Sequence, residues 1–338
     1  MKMLTRRFSM ILVLVFLVSG LMACSKGTPS ASPKSTATTE KKVTFPTKSS
    51  IEFVVANTPG GGQDTMLRTM AKILAEEKIV NVPINVVNKP GGGFMTGMAY
   101  LKGHEGDGHY LMGTAPTLLM TPVLTNAEIS YRDFTPIGCF GIDPGILVTY
   151  AGSGFNSFKD VVDYDGVINI GGSGKGSTEH MISYLLQSKA GVEINYIPFA
   201  SDAEVAGALL GKQVELIVTS PASVMDYFET NQFIPLALSS QERSSYLKSD
   251  IPTFKELGYD ISLCVFRAVI APGNIPDEAV QFYADALEKM AKSEAFKKQY
   301  LEPNMIEPIW MGPEEFGVYQ AKMADEFEAV MRDLGLVK

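Results

Sequence analysis

Pro59-Gly60-Gly61-Gly62-Gln63-Asp64 lies between an apolar strand, Ile51 to Val55, and a segment in which Met66, Met70, Ile73 and Leu74 recur at helical spacing. Asp64 is expected at the N-cap of that helix. A strand, a glycine turn and a helix start gather free backbone N–H groups and the positive end of a helix dipole at one point, which is the make-up of an anion site. One such loop is explained as simply by a tight turn with an ordinary cap. The construction recurs, however, at Gly171-Gly172-Ser173-Gly174-Lys175-Gly176-Ser177, between the strand Val167 to Ile170 and a helix carrying Met181, Ile182, Leu185 and Leu186. The two loops are therefore expected to supply matching halves of one site.

Glycine loops also serve nucleotide and acyl chemistry, and the spacing fails for each. A Walker loop needs Gly-Lys-Ser/Thr, but Lys175 is followed by Gly176. A dinucleotide fingerprint from Gly172 needs glycine where Ser177 stands, and a nucleophile elbow on Ser173 needs glycine where Lys175 stands. His104 and His109 are five positions apart with Gly106 and Gly108 between, which rules out a zinc-protease helix. A Ser-His-acid triad would have to use His180, which reads as first-turn helix. Carboxylate chemistry through Asp64 and Glu179 is better explained by a cap and a helix-start acid. No metal, cofactor or catalytic residue is expected.

The chain opens with Lys2, Arg6 and Arg7, an apolar run from Phe8 to Val18, and Leu21-Met22-Ala23-Cys24. That is a secretory signal, residues 1–23, rather than a membrane span, and its end resembles a bacterial lipobox with Cys24 as the lipidated thiol. Residues 24–50 read as a disordered tether reaching on the order of 30 Å. Loss of Lys2, Arg6 and Arg7 takes the net charge from −8 to −11. An anionic ligand must therefore be held by local dipoles and individual donors, and nucleic acid is not expected. The remainder, about 288 residues, suits two α/β lobes. Cys139 and Cys264 match no metal motif; a disulfide between them is conceivable and buried free thiols are expected.

Further along, Ile84 to Val87 leads into Asn88-Lys89-Pro90-Gly91-Gly92-Gly93 and the helical Thr96 to Leu101, and Tyr110 to Met112 is a strand. Ile146 to Thr149 enters the second lobe, Leu216 to Val218 ends at Thr219-Ser220-Pro221 as a third cleft candidate, and Val265 to Ile270 returns to the first lobe. Helices starting at Pro276 and Pro313 close the chain, and Trp310 is expected to pack.

In this order Ile-x-Phe-Val-Val, Pro-Gly-Gly-Gly-x-Asp, Arg68, Val-Val-Asn-x-Pro-Gly-Gly-Gly, Asp107-Gly108 and Asp133-Phe134-Thr135-Pro136-Ile137 resemble the substrate-binding receptors of tripartite tricarboxylate transporters, the Bug family. The likeness continues through Gly-Ser-Gly-Lys-Gly-Ser-Thr-Glu-His ending at His180, Tyr196-Ile197-Pro198-Phe199, Leu210 to Glu215, Ile251 to Gly258 and Ala271 to Pro276. It implies an α/β, two-lobed, periplasmic-binding-protein-like (type II) fold, with lobe 1 from 51–144 and 266–338 and lobe 2 from 145–265. It also implies a monomeric, lipid-anchored extracytoplasmic receptor that closes on a small carboxylate and delivers it to the large and small membrane subunits of a transporter. A receptor serving a membrane sensor and a surface hydrolase are the alternatives. The candidate contacts are Asn57, Gly60, Gly61, Gly62, Gln63, Asp64 and Thr114 in lobe 1, Gly172, Ser173, Gly174, Ser177, Thr219 and Ser220 in lobe 2, and Arg267. The chain departs from the family at Asn57 and Arg267, and both bear on the ligand. Arg267, a guanidinium in an apolar strand, either pairs with an acid such as Asp143 or reaches a second ligand carboxylate, which would favour di- or tricarboxylates.

Overall fold

The computed structural model describes Phe45, Pro46, Lys48, Ser50 and residues 51–247 and 250–337. The signal segment, Cys24 and most of the tether lie outside these residues. Among the described residues no helix is long and apolar enough to cross a membrane.

The chain builds β1 (Ile51–Val55), α1 (Gly62–Glu76), β2 (Ile84–Asn88), α2 (Met95–Lys102), β3 (Tyr110–Thr114), α3 (Thr117–Leu124) and β4 (Phe134–Pro144). It then crosses to β5 (Ile146–Tyr150), α4 (Phe158–Val162), β6 (Ile168–Ser173), α5 (Thr178–Ala190), β7 (Ile194–Phe199), α6 (Asp202–Leu210), β8 (Leu216–Thr219), α7 (Met225–Glu229) and β9 (Phe233–Leu238). It returns through β10 (Cys264–Pro272), α8 (Asp277–Ala291), α9 (Glu294–Phe296), β11 (Glu307–Met311) and α10 (Pro313–Asp333).

Strands such as β1, apolar and buried along nearly all its length, suit a parallel sheet covered on both faces. Two sheets result, ordered β11-β4-β10-β3-β1-β2 and β7-β6-β8-β5-β9. In each, the strand entered by a crossover is antiparallel to its neighbours: β10 against β3 and β4, and β5 against β8 and β9. Both sheets therefore repeat one order, second-first-third-crossover-fourth, which is the type II arrangement. The C-terminal ends of the parallel strands line one edge of each sheet, where ligands bind in open α/β folds. Because β4 passes into β5 through Gly145 alone, the two edges are brought side by side.

Helix α10 ties the halves together. Its buried Met323, Phe327, Val330 and Met331 share one apolar cluster with Leu118 of α3 and with Met181, Leu185 and Leu186 of α5. Trp310 packs as expected: a Cβ on Gly138 would stand 2.7 Å from its ring. Cys139 and Cys264 are free and buried, and burial pushes both thiols up to about 12.

The tether expectation requires correction at its end. Phe45 is held by rings at 4.8 Å (His109), 5.2 Å (Phe282) and 5.5 Å (Tyr283), and its N–H donates to Glu278 at 3.1 Å. Gly108 leaves the room, since a Cβ there would lie 3.2 Å from the Phe45 ring. A single large aromatic with a prepared slot outweighs the polar composition around it.

Candidate functional site

The first loop turns at Gly60, whose φ of +81° favours glycine. Asp64 is not the N-cap; Gly61 is, with extended backbone and no side-chain cap. Asp64 stands in the first turn and reaches back. Its carboxylate accepts from Gly60 N–H at 2.9 Å, from Arg68 Nε at 3.0 Å and from Asn88 Nδ2 at 2.9 Å. The same Asn88 amide donates to Asn57 O at 3.1 Å, so one acid and one amide set the loop's path. Asp64 is thus a positioning residue rather than a ligand contact, because its lone pairs are already engaged. The Arg68 guanidinium first, with Gly60 and Asn88, outweighs burial and lowers its pKa to about 2.

A depressed carboxylate pKa contributes stability above the unfolded value, near 3.8, that is lost as pH falls toward about 2. Asp64→Asn is expected to cost about 1 to 2 kcal/mol at pH 7, a figure reduced because Arg68 is half exposed. Urea unfolding of both proteins checks it, since the gap should close near pH 2.

Three helix starts converge in lobe 1. Gly62 and Gln63 open α1, Gly93 and Phe94 precede α2, and Ala115 and Thr117 bracket the start of α3. Together with Asn57, Val265 and Arg267 they line a cavity of ≈ 340 Å³. The first-turn N–H groups are free only in part: Met95 and Thr96 of α2 donate to Gly92 O and Gly91 O at 3.3 Å, and Leu118 and Leu119 of α3 donate to Ala115 O at 2.9 Å and Pro116 O at 2.8 Å. The lining contains no acidic residue. Gln63 is 3 % exposed, and neither atom of its amide has a partner.

Arg267 reaches this cavity from β10, beside a register shift that separates it from Ala268. Such irregularities re-aim a side chain. Its Nη2 donates to Asp143 Oδ2 at 2.5 Å, and Ser220 Oγ donates to Asp143 Oδ1 at 3.2 Å. Burial opposes the guanidinium charge, but the Asp143 carboxylate more than offsets it, so the pKa of Arg267 lies above its ordinary value. Nη1 faces α1, 4.0 Å from where a Cβ on Gly62 would stand. Of the two readings open for Arg267, the internal pair is the one present. Asp143 takes one nitrogen of the guanidinium, while the buried Nε has no partner and Nη1 is turned toward the cavity, so donors remain there for a ligand carboxylate.

In lobe 2 the strand is longer than expected. Gly171, Gly172 and Ser173 belong to β6 and pair with Ile197, Pro198 and Phe199, leaving the turn to Gly174–Gly176. Gly172 is required there, since a Cβ would lie 2.6 Å from Tyr196 Oη. Ser177 caps α5, accepting from His180 N–H at 3.2 Å. Gly176 N–H donates to His180 Nδ1 at 3.0 Å, and Gly174 N–H to Phe199 O at 3.0 Å. Ser173 Oγ donates to Glu179 Oε2 at 2.9 Å. Ser173, Gly174 and Gly176 are therefore engaged with nearby groups of lobe 2, because turns satisfy their polar groups locally first.

The structure thus gathers Asn57, Gly62, Gln63 and Arg267 around one cavity. Gly60 and Gly61 shape its rim, and Thr114 lies fully buried beneath Ala115. Gly172, Ser173, Gly174, Ser177, Thr219 and Ser220 do not line it; Ser220 joins only through Asp143, and the buried Thr219 hydroxyl has no partner. The sequence reading missed Gly93, Phe94, Ala115, Thr117 and Val265. Gly91-Gly92-Gly93 carried the same strand-glycine-helix signature as the first loop and could have been found by it. Thr117 and Val265 had no such signal.

Two sheets of matching order, joined by crossovers at a shared edge with a polar cavity beside them, define a two-lobed solute-binding protein of the periplasmic type. Residues 66–336 match the family described as tripartite tricarboxylate transporter family receptor, and the chain belongs to that family. A crystal structure of a TctC solute-binding protein from Polaromonas, without ligand, superposes with a TM-score of 0.78 at 29 % identity, covering 86 % of this chain and 100 % of that one. A UPF0065 protein of Cupriavidus necator is 27 % identical, with 85 % of this chain and 88 % of that protein covered. Protein BugT of Bordetella pertussis is 27 % identical over 78 % of this chain and 84 % of its own length.

Proposed function

We propose that this protein is a monomeric extracytoplasmic receptor, lipid-anchored through Cys24, that captures a small carboxylate unchanged and hands it to the large and small membrane subunits of a tripartite transporter. The observation that carries the reading is the lobe 1 cavity, where three helix starts and Arg267 converge with no acid in the lining. Helix starts attract a carboxylate by partial charges and free N–H groups without any net positive charge on the protein. The lobes, jointed at Gly145 and near Cys264, would close over the ligand as the lobe 2 loop comes down on it.

A thermal-shift panel of mono-, di- and tricarboxylates on the full chain tests the reading. A ligand at a hundred times its Kd adds about 2.7 kcal/mol of stability. Absence of any carboxylate shift would overturn the carboxylate as the ligand class. For the anchor, Cys24→Ala is expected to leave the protein in the soluble fraction or with its signal uncleaved. Normal processing with full membrane retention would place the anchor elsewhere.

A further inference from the structure

The lobe 1 cavity holds more hydrogen-bonding capacity than charge. Among the described residues Arg267 is the only charged one in its lining, while Asn57, Gln63 and Thr117 bring two carboxamides and a hydroxyl. Phe94 and Val265 supply apolar wall. None of the three polar side chains is engaged inside the protein. Neither Gln63 Nε2 nor Gln63 Oε1 has a partner, and the residue is 3 % exposed, so bulk water does not serve the amide either. Asn57 uses only its backbone carbonyl, which accepts from Asn88 Nδ2 at 3.1 Å. Among the described residues the Asn57 side-chain amide and the Thr117 hydroxyl, both half-buried, make no hydrogen bond.

An amide carries donors on its nitrogen and an acceptor on its oxygen, and a hydroxyl carries both on one atom. A carboxylate uses such groups incompletely, because its oxygens only accept and are repelled by an amide oxygen. Ligand hydroxyls match them, meeting a donor with a lone pair and an acceptor with a proton. The charge count points the same way. Asp143 pairs with the guanidinium through Nη2, which leaves Nε and Nη1 for one ligand carboxylate. A second carboxylate would find no second cation in the lining. A buried amide with both polar atoms unpartnered is unfavourable, and an occupant of the cavity that supplies the missing bonds removes that cost.

We infer that the ligand is a hydroxylated monocarboxylate, with its carboxylate on Arg267 and the lobe 1 helix starts and its hydroxyls on Gln63, Asn57 and Thr117. Gln63 is the specificity-determining residue. The inference rests on the receptor reading above and narrows its ligand. It replaces a second carboxylate by neutral hydroxyls, in keeping with a lining that has one cation and three neutral polar side chains.

Four-carbon acids are suitable probes, since they share one chain and differ in what it carries. Butanoate has no further polar group, threonate and erythronate have three hydroxyls in two relative configurations, and succinate has a second carboxylate. Calorimetric titration of the full chain, purified in mild detergent at pH 7.5, is expected to show the better trihydroxy acid bound about ten- to a hundredfold tighter than butanoate, the range for two or three neutral hydrogen bonds. Succinate should bind no tighter than butanoate. In Gln63→Leu, which keeps the bulk and removes the amide, the ratio of trihydroxy acid to butanoate should fall about fivefold or more, with butanoate within about twofold of wild type. Apo stability, read by urea unfolding, should hold or rise, because an apolar side chain replaces an unpartnered amide. A drop in apo stability with an unchanged ratio would make the amide structural and overturn the inference. Should the variant not fold, the order of the probes on the wild-type chain still decides. Succinate binding tightest would overturn the inference and leave the receptor reading standing. The same holds if no four-carbon acid binds while another carboxylate of the thermal-shift panel does; if no carboxylate binds at all, both fall.

Discussion

Asp143→Leu is expected to lose about 3 to 5 kcal/mol of stability, the largest effect of any substitution considered for this chain. Asp143 is buried and Arg267 has only 20 % of its side chain exposed, so removing the acid leaves a guanidinium charge inside β10 with no partner. Water reaches too little of it to compensate. Arg267→Met should cost less, because an orphaned aspartate can take up a proton whereas a guanidinium cannot lose one. The double variant should recover most of the Asp143→Leu loss, since well-packed apolar groups replace a buried pair at little cost. Urea unfolding of the four proteins completes the cycle. Additive losses would show that the two side chains do not depend on each other.

Gly62→Val is expected to reduce carboxylate affinity by at least about a hundredfold while leaving the apo fold within about 0.5 kcal/mol of wild type. Gly62 is exposed at the first position of α1, and its missing Cβ points toward Arg267 Nη1, 4.0 Å away. Two added methyl groups would fill the space between the helix start and the guanidinium and cover the N–H donors there. Nothing in the backbone resists the change, because Gly62 does not have a positive φ. Wild-type affinity in this variant would move the ligand away from the lobe 1 cavity.

Much of the architecture was legible because its causes are local. β1, β5 and β10 announce themselves as apolar runs, α8 and α10 by proline and acids at their starts, and the two glycine loops by their place between a strand and a helix. The Asp64–Arg68 pair follows from their spacing of four on one helix face. The N-cap was misread by three positions, since Gly61 caps with its backbone and leaves no side-chain signal.

What the sequence by itself determined is the set of elements, the family and the presence of an anion-friendly loop. The tertiary structure alone decided which groups remain available to a ligand. Arg267 meets Asp143 across 124 positions of chain only because β10 lies beside β4, and local pattern carries no trace of that pairing. Ser173 and Glu179 are only six apart, yet whether the hydroxyl faces the cleft or the acid depends on the turn from β6 into α5. Polar groups are satisfied by whatever three-dimensional neighbour is nearest. Residue type therefore names the candidates for binding, and packing selects among them.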